Sequence, residues 1–302
     1  MRDLRWYRMT ASSRARLLAG ILAAAAAPRQ SIGQHPLVRR YVEHDSIAYV
    51  MRAVNAGHTD TVRYEGLAAG RVERDSSGRF VERLSWSNFR LGGTPVRLAS
   101  AAAARQILSL DSTWRPVPDV RGADPRLIGP ILDLFTFYVD LKLAASQAAL
   151  VRSGDHVSVP VGLGGSWADG RQTLIAQDAI DFDVTLQKFD SSRHEAVVVV
   201  RHIPPASLKI RLPAAWMAAP IAATPNNWVE VARAPDESFY GRVGSESFTV
   251  TLHVSLLDGR LLAASMDNPV EVLERHCTDA ALTACGEPVR YLIRRTIELG
   301  PP

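Results

Sequence analysis

Few residues in this chain are spaced for chemistry, and each candidate has a plain structural competitor. Gly162-Leu163-Gly164-Gly165-Ser166-Trp167 approaches a nucleophile elbow, the crowded strand-to-helix turn that aims a serine at a carbonyl. The elbow needs glycine two residues after the serine, and Ala168 stands there, so the segment reads as a glycine-permitted turn with Trp167 packing. Gly244-Ser245-Glu246-Ser247 fails in the same way. Asp181 and Asp183 lie two apart and share one strand face, opposite Phe182, Val184 and Leu186. Paired carboxylates can do acid and base work, but a solvated sheet face explains them as well. His253 falls on the polar side of an alternating run, His202 closes the apolar run Val197 to Val200, and His194 and Glu195 sit at a turn. These three histidines converge on no serine or cysteine, so the pattern supports no triad. Phosphate loops, HExxH and Asp-rich calcium loops are absent from the sequence. We therefore expect no catalytic residue, metal or cofactor, with an unrecognised hydrolase as the remotest reading.

Cys277 and Cys285 are the only cysteines. Seven residues separate them, and in an oxidising compartment they would pair. A metal reading fails because His276 beside Cys277 has no second pair of ligands at a fitting spacing.

The charge points to the same compartment. The chain has 302 residues, 47% hydrophobic and 22% charged, which excludes wholesale disorder and a multi-span membrane protein. Residues 1–33 carry six arginines and one aspartate, more than the whole net charge of +4, which leaves 34–302 at −1. A near-neutral body has no electrostatic footprint for nucleic acid. The arginines precede an apolar stretch from Leu17 to Ala27, too short for a membrane-spanning helix. We read 1–33 as a signal peptide cleaved near Gly33, and the mature chain as periplasmic or secreted, most simply bacterial.

The elements that must hold these residues are mostly strands. Thr61–Leu67, Arg71–Glu73 and Arg79–Phe89 form a meander turning at Asp75-Ser76-Ser77-Gly78. A hairpin joins Ile180–Phe189 to Glu195–Ile203 through Asp190-Ser191-Ser192. Phe248 to Leu256 alternates apolar and polar residues before the tight Asp258-Gly259 turn, and Val289–Leu299 is a last strand. On its face, Arg290, Arg294 and Glu298 suggest an ion-pair ladder. Two helices are expected. His35–Gly57 places Leu37, Tyr41, Ile47, Val50, Met51 and Val54 at roughly helical spacing. Asp124-Pro125 opens a longer one, apolar nearly all round, toward Leu150. A helix before a meander thus occurs twice (34–123 and 124–302), within what reads as one continuous unit. The Pro-rich stretch from Pro204 to Pro225 is a long connection or flap.

The expected fold class is α+β, a curved antiparallel half-barrel, of two related halves if the repeat is real, packed against long helices. In this order of elements the chain resembles the periplasmic lipoprotein-carrier half-barrel proteins, over most of 36–299. The resemblance implies an apolar ligand held between sheet and helices. Trp86, Phe135, Tyr138, Trp216, Met217 and Trp228 would line that hollow, with Trp216 and Met217 at the tip of the flap. The leading expectation is a non-catalytic protein binding a lipid or another apolar small molecule. The alternative is an interaction subunit docking on a membrane complex through the flap and an exposed apolar patch.

Overall fold

The computed structural model describes residues 36–302 except 115, 116, 118, 162–165, 169–171, 177–179, 204–211 and 235, and backbone alone over 161–180. The export segment, the glycine turn at 162–165 and the first part of the Pro-rich stretch lie outside the described residues.

The first expected helix is a strand. After an irregular run from Pro36, strand β1 covers Ser46–Ala56. Ile47, Tyr49, Met51 and Ala53 are buried at a spacing of two, the strand period. The helical spacing came from joining Leu37 and Tyr41, which belong to the irregular run, to this strand. With that helix gone, the repeat of helix and meander disappears. Among the described residues the long helices reduce to one, α1 (Ile128–Ala145), entered through a 3-10 turn at Pro125–Leu127. Its start follows the expected chemistry: Asp124 accepts a hydrogen bond from the Arg126 backbone N–H at 3.0 Å, ahead of Pro125. It stops five residues before Leu150, where the Ser146 hydroxyl turns back onto the Leu143 carbonyl at 2.7 Å.

The rest is antiparallel sheet. Strands β2 (Thr61–Arg74) and β3 (Phe80–Leu91) form the first meander, followed by β4 (Thr94–Pro95) and β5 (Arg105–Leu108). After α1 come β6 (His156–Val161), β7 (Ser166–Ala168), β8 (Gln172–Ala176), β9 (Ile180–Asp190) and β10 (Glu195–Ile203). The chain ends with β11 (Trp228–Arg233), β12 (Phe239–Glu246), β13 (Phe248–Ser255), β14 (Leu261–Cys277) and β15 (Val289–Gly300). Both Asp-Ser-Ser turns close as expected, with the aspartate oxygen accepting the backbone N–H two residues on, at 2.8 Å for Asp75 and 3.1 Å for Asp190.

A three-strand ribbon organises the sheet. β12 and β13 run as one bent line along β14, Phe239 opposite Cys277 and Val254 opposite Leu261, while β15 lies along its other side. The bend falls at Ser247 and Pro269. Asn268 donates there to Glu246 Oε1 at 2.8 Å and to the Ser247 carbonyl at 2.7 Å, and Asn227 clasps the Glu246 backbone from the other side. Beyond the bend two arms diverge. One runs β5-β3-β2-β1-β15-β14-β13-β10-β9-β6, and the other continues from β14 through β12, β11 and β8 to β7. The sheet stays open.

The first arm is strongly curved. Arg39 donates to Glu82 on β3 and to Asp258 in the β13–β14 turn, at 3.2 Å each. In a flat sheet β3 and β14, four strands apart, would lie roughly 19 Å from each other. Helix α1 occupies the hollow of this arm. Fifteen of its eighteen residues are buried, and Val96, Leu98, Leu110, Trp114, Val120 and Ala123 of the preceding excursion pack on the same core. That second cover explains why α1 has no polar face. A smaller core under the second arm joins Met217, Ile221, Val229, Val243, Leu273, Cys277 and Leu282. Among the described residues no helix is long and apolar enough to cross a membrane.

Candidate functional site

The six aromatic and methionine residues expected to share one hollow divide among three places. Trp86 on β3 and Phe135 and Tyr138 on α1 belong to the main core, none more than 2% exposed. Trp86 donates its indole N–H to Gln106 Oε1 at 2.9 Å, and Gln106 in turn donates to the Ile131 carbonyl at 2.8 Å. Trp114 meets Phe135 edge-on, with centroids 6.2 Å apart. Trp216 and Met217 join the smaller core, Trp216 donating to the Leu282 carbonyl at 3.2 Å. Trp228 lies across Gly244, where a Cβ would come within 2.0 Å of the indole. Of the six, Trp86, Phe135, Tyr138 and Met217 are buried.

Polar groups that the pattern did not flag run through this core. Glu82 is in phase with Phe80, Leu84 and Trp86 on the inward side of β3, and that phase was the available signal. One of its carboxylate oxygens accepts from Arg39 and the other from the Tyr138 hydroxyl. The Tyr138 hydroxyl also lies 3.1 Å from that of Tyr49. Burial pushes Glu82 above the ordinary carboxylate range, against the pull of Arg39. Asp133 on α1 accepts from Tyr64 on β2 and from Arg295 on β15. Two helical turns further on, Asp140 is 1% exposed, and its Oδ2 has no hydrogen-bond partner among the described residues. Burial pushes its carboxyl up to about 8, which keeps it protonated at neutral pH. Lys142 donates to the carbonyls of Asp111 and Trp114, tying the covering excursion to the helix, and burial brings its ammonium down to about 8.

On the second arm, Glu230, Arg242 and Glu274 form a ladder across β11, β12 and β14, Arg242 bonding both carboxylates, and Tyr291 on β15 donates to Glu274 at 3.0 Å. Burial opposes the Arg242 charge, but the two carboxylates outweigh it and hold the guanidinium above its usual range. Glu230 is 1% exposed, so this ladder is a satisfied buried network.

The remaining expected polar residues are placed as follows. Asp181 and Asp183 share the outward face of β9, with Phe182, Val184 and Leu186 buried beneath. His253 lies 2.5 Å from Glu195 on a partly exposed face. His202 packs between Phe182 and Phe248. The last strand does not ladder with itself: Arg294 bonds Asp267 across to β14, and Arg290 donates to the Ile221 carbonyl. Cys277 and Cys285 form a disulfide.

One surface feature remains, on the last strand. β15 pairs with β1 only from Arg294 onward, so Val289–Ile293 has β14 on one side and, among the described residues, no strand on the other. The β1–β2 hairpin stops there, with His58 stacked on Tyr291 at 4.5 Å. Val289 and Leu292 are about half exposed. Beside them a concavity of about 320 Å³ is lined by Ile221, Glu271, Val272, Arg290, Tyr291 and Leu292. No protein-family model matches the chain, and a search of curated proteins finds no relative.

Proposed function

We propose that this is an exported, non-catalytic binding protein that works through its outer surface and docks on a partner protein. The observation that carries the reading is the contrast between the two apolar regions. The hollow is occupied by α1, with Trp86, Phe135, Phe137 and Tyr138 essentially inaccessible. Val289 and Leu292 instead stand exposed on a strand edge that, among the described residues, no other strand pairs, with a concavity beside it. An open edge of this kind accepts an extended segment of another chain as an added strand, main-chain bonds giving affinity and flanking pockets giving selectivity. Export is supported by the disulfide, which oxidising compartments maintain. A second reading, an apolar ligand held between sheet and helix, is favoured by the large apolar cluster between them, but it requires α1 to leave its place.

The test is site-specific photo-crosslinking in cells that export the protein. A photoreactive residue at 292 should give one discrete protein adduct. The same residue at Leu257, which is also exposed, should not. Equal labelling from both positions, or none from 292, would end this reading.

A further inference from the structure

We infer that the run from Leu37 to Tyr41 is a latch that holds the first arm closed over α1. The run has neither helix nor strand pairing of its own, yet it is tied to three separate parts of the molecule. Leu37 is completely buried in the main core. The Arg39 side chain, equally inaccessible, bonds Glu82 on β3 and Asp258 in the β13–β14 turn. Arg40 donates its backbone N–H to the Asp258 carbonyl at 2.7 Å and its guanidinium to the carbonyls of Leu256 and Leu257 at 2.7 and 2.5 Å. Tyr41 accepts the Leu110 N–H at 2.6 Å and stacks on Phe80. The turn is shaped to receive the run, since a Cβ on Gly259 would fall 2.3 Å from the Val38 carbonyl oxygen.

Two features make this a latch and not simply more core. The curved sheet is open, and the run ties β3 directly to the β13–β14 turn, two parts four strands apart that do not pair with each other. The bolt also reaches the helix, because Glu82 takes Arg39 on one oxygen and Tyr138 of α1 on the other. Releasing Arg39 therefore loosens the wall on which the Tyr138 contact of α1 is mounted. A packed form and an opened form sharing one sheet make a two-state element of the strap type. The opened form would expose the apolar lining of the hollow. This inference stands on the geometry of the run and is independent of the docking reading.

The test compares the wild-type chain with Arg39→Met and with the double variant Arg39→Met/Glu82→Gln, which leaves no uncompensated buried charge and keeps an acceptor for Tyr138. Amide exchange and uptake of the neutral apolar dye Nile red are followed together. We expect the double variant to melt cooperatively, bind the dye, and exchange at least tenfold faster over 128–145. Exchange over β11 and β12 in the other arm should not change. Equal acceleration in both arms, no acceleration over 128–145 without dye uptake, or loss of a cooperative melt in both variants would each overturn the latch.

Discussion

Arg39 and Glu82 form a buried ion pair, at 3.2 Å, between a run that belongs to no element and the third strand of the sheet. The two side chains are 0% and 2% exposed, so neither charge is shared with water. Tyr138 makes the pair a relay to the central helix. Removing the phenol oxygen leaves one oxygen of Glu82 without its donor. We predict that Tyr138→Phe costs about 1–3 kcal/mol, measured by denaturant unfolding, with the slope of the transition unchanged. A cost near zero would mean that this contact is not part of the folded state.

Asp140 gives a pH dependence whose sign can be worked out. Its folded pKa is raised to about 8 by burial, above the ordinary aspartate value. Between about pH 4 and pH 8 the folded state therefore holds a proton that the unfolded chain has lost, and this residue's contribution to stability falls as pH rises through that window. We predict that Asp140→Asn is about as stable as wild type near pH 4 and more stable near pH 8, by at most about 5 kcal/mol. Melting curves at the two pH values check it, and a parallel shift at both would contradict it.

Much of the sheet was legible in the sequence and much of its organisation was not. The Asp-Ser-Ser and Asp-Gly turns announced themselves because their side chains and φ values act locally: Asp75 and Asp190 cap their own turns, and Gly259 takes a φ of +69°. α1 was readable from Asp124-Pro125 for the same reason. The run before β1 misled because Leu37 and Tyr41 are buried by tertiary contacts, and their spacing joined to that of Ile47 and Met51 imitated a helix. The division of the six lining candidates could not be read either. Trp216, in a 3-10 turn at Ala215–Ala218, and Trp228 on β11 are apolar like Trp86, and only the bend at Ser247 and Pro269 sets the second arm apart from the first.

Trp228 provides a local check on that second arm. Its indole occupies the space a side chain on Gly244 would need. We predict that Gly244→Ala displaces the ring, destabilises the chain by about 1–3 kcal/mol and shifts Trp228 fluorescence relative to a Trp228→Phe control. A substitution that leaves both stability and spectrum unchanged would mean the indole lies elsewhere.

The disulfide closes a short excursion whose Leu282 enters the smaller core and receives the Trp216 N–H. We predict that Cys277→Ser/Cys285→Ser loses about 2–3 kcal/mol, the loop-closure estimate for so small a ring. Faster amide exchange should accompany it around 278–286 and spare α1. Exchange that changes first in α1 would mean the two cores are coupled more tightly than their separation implies.

The exposed edge should behave in the opposite way from the core. Leu292→Glu is expected to stay within about 0.5 kcal/mol of wild type, because the side chain already faces solvent. Trp86→Ala should cost about 3–5 kcal/mol. Denaturant titration of the two variants side by side makes the comparison. A large loss at Leu292 would show that the chain itself covers this edge and would remove it as a docking surface.

The central claim, a packed interior with recognition at the surface, is tested most directly by native mass spectrometry of the exported chain purified from its own compartment without detergent. The account predicts the bare mass of the disulfide-bonded chain, alone or with a partner polypeptide. An added mass of lipid size, lost on denaturation, would contradict it and place an apolar ligand where α1 now sits.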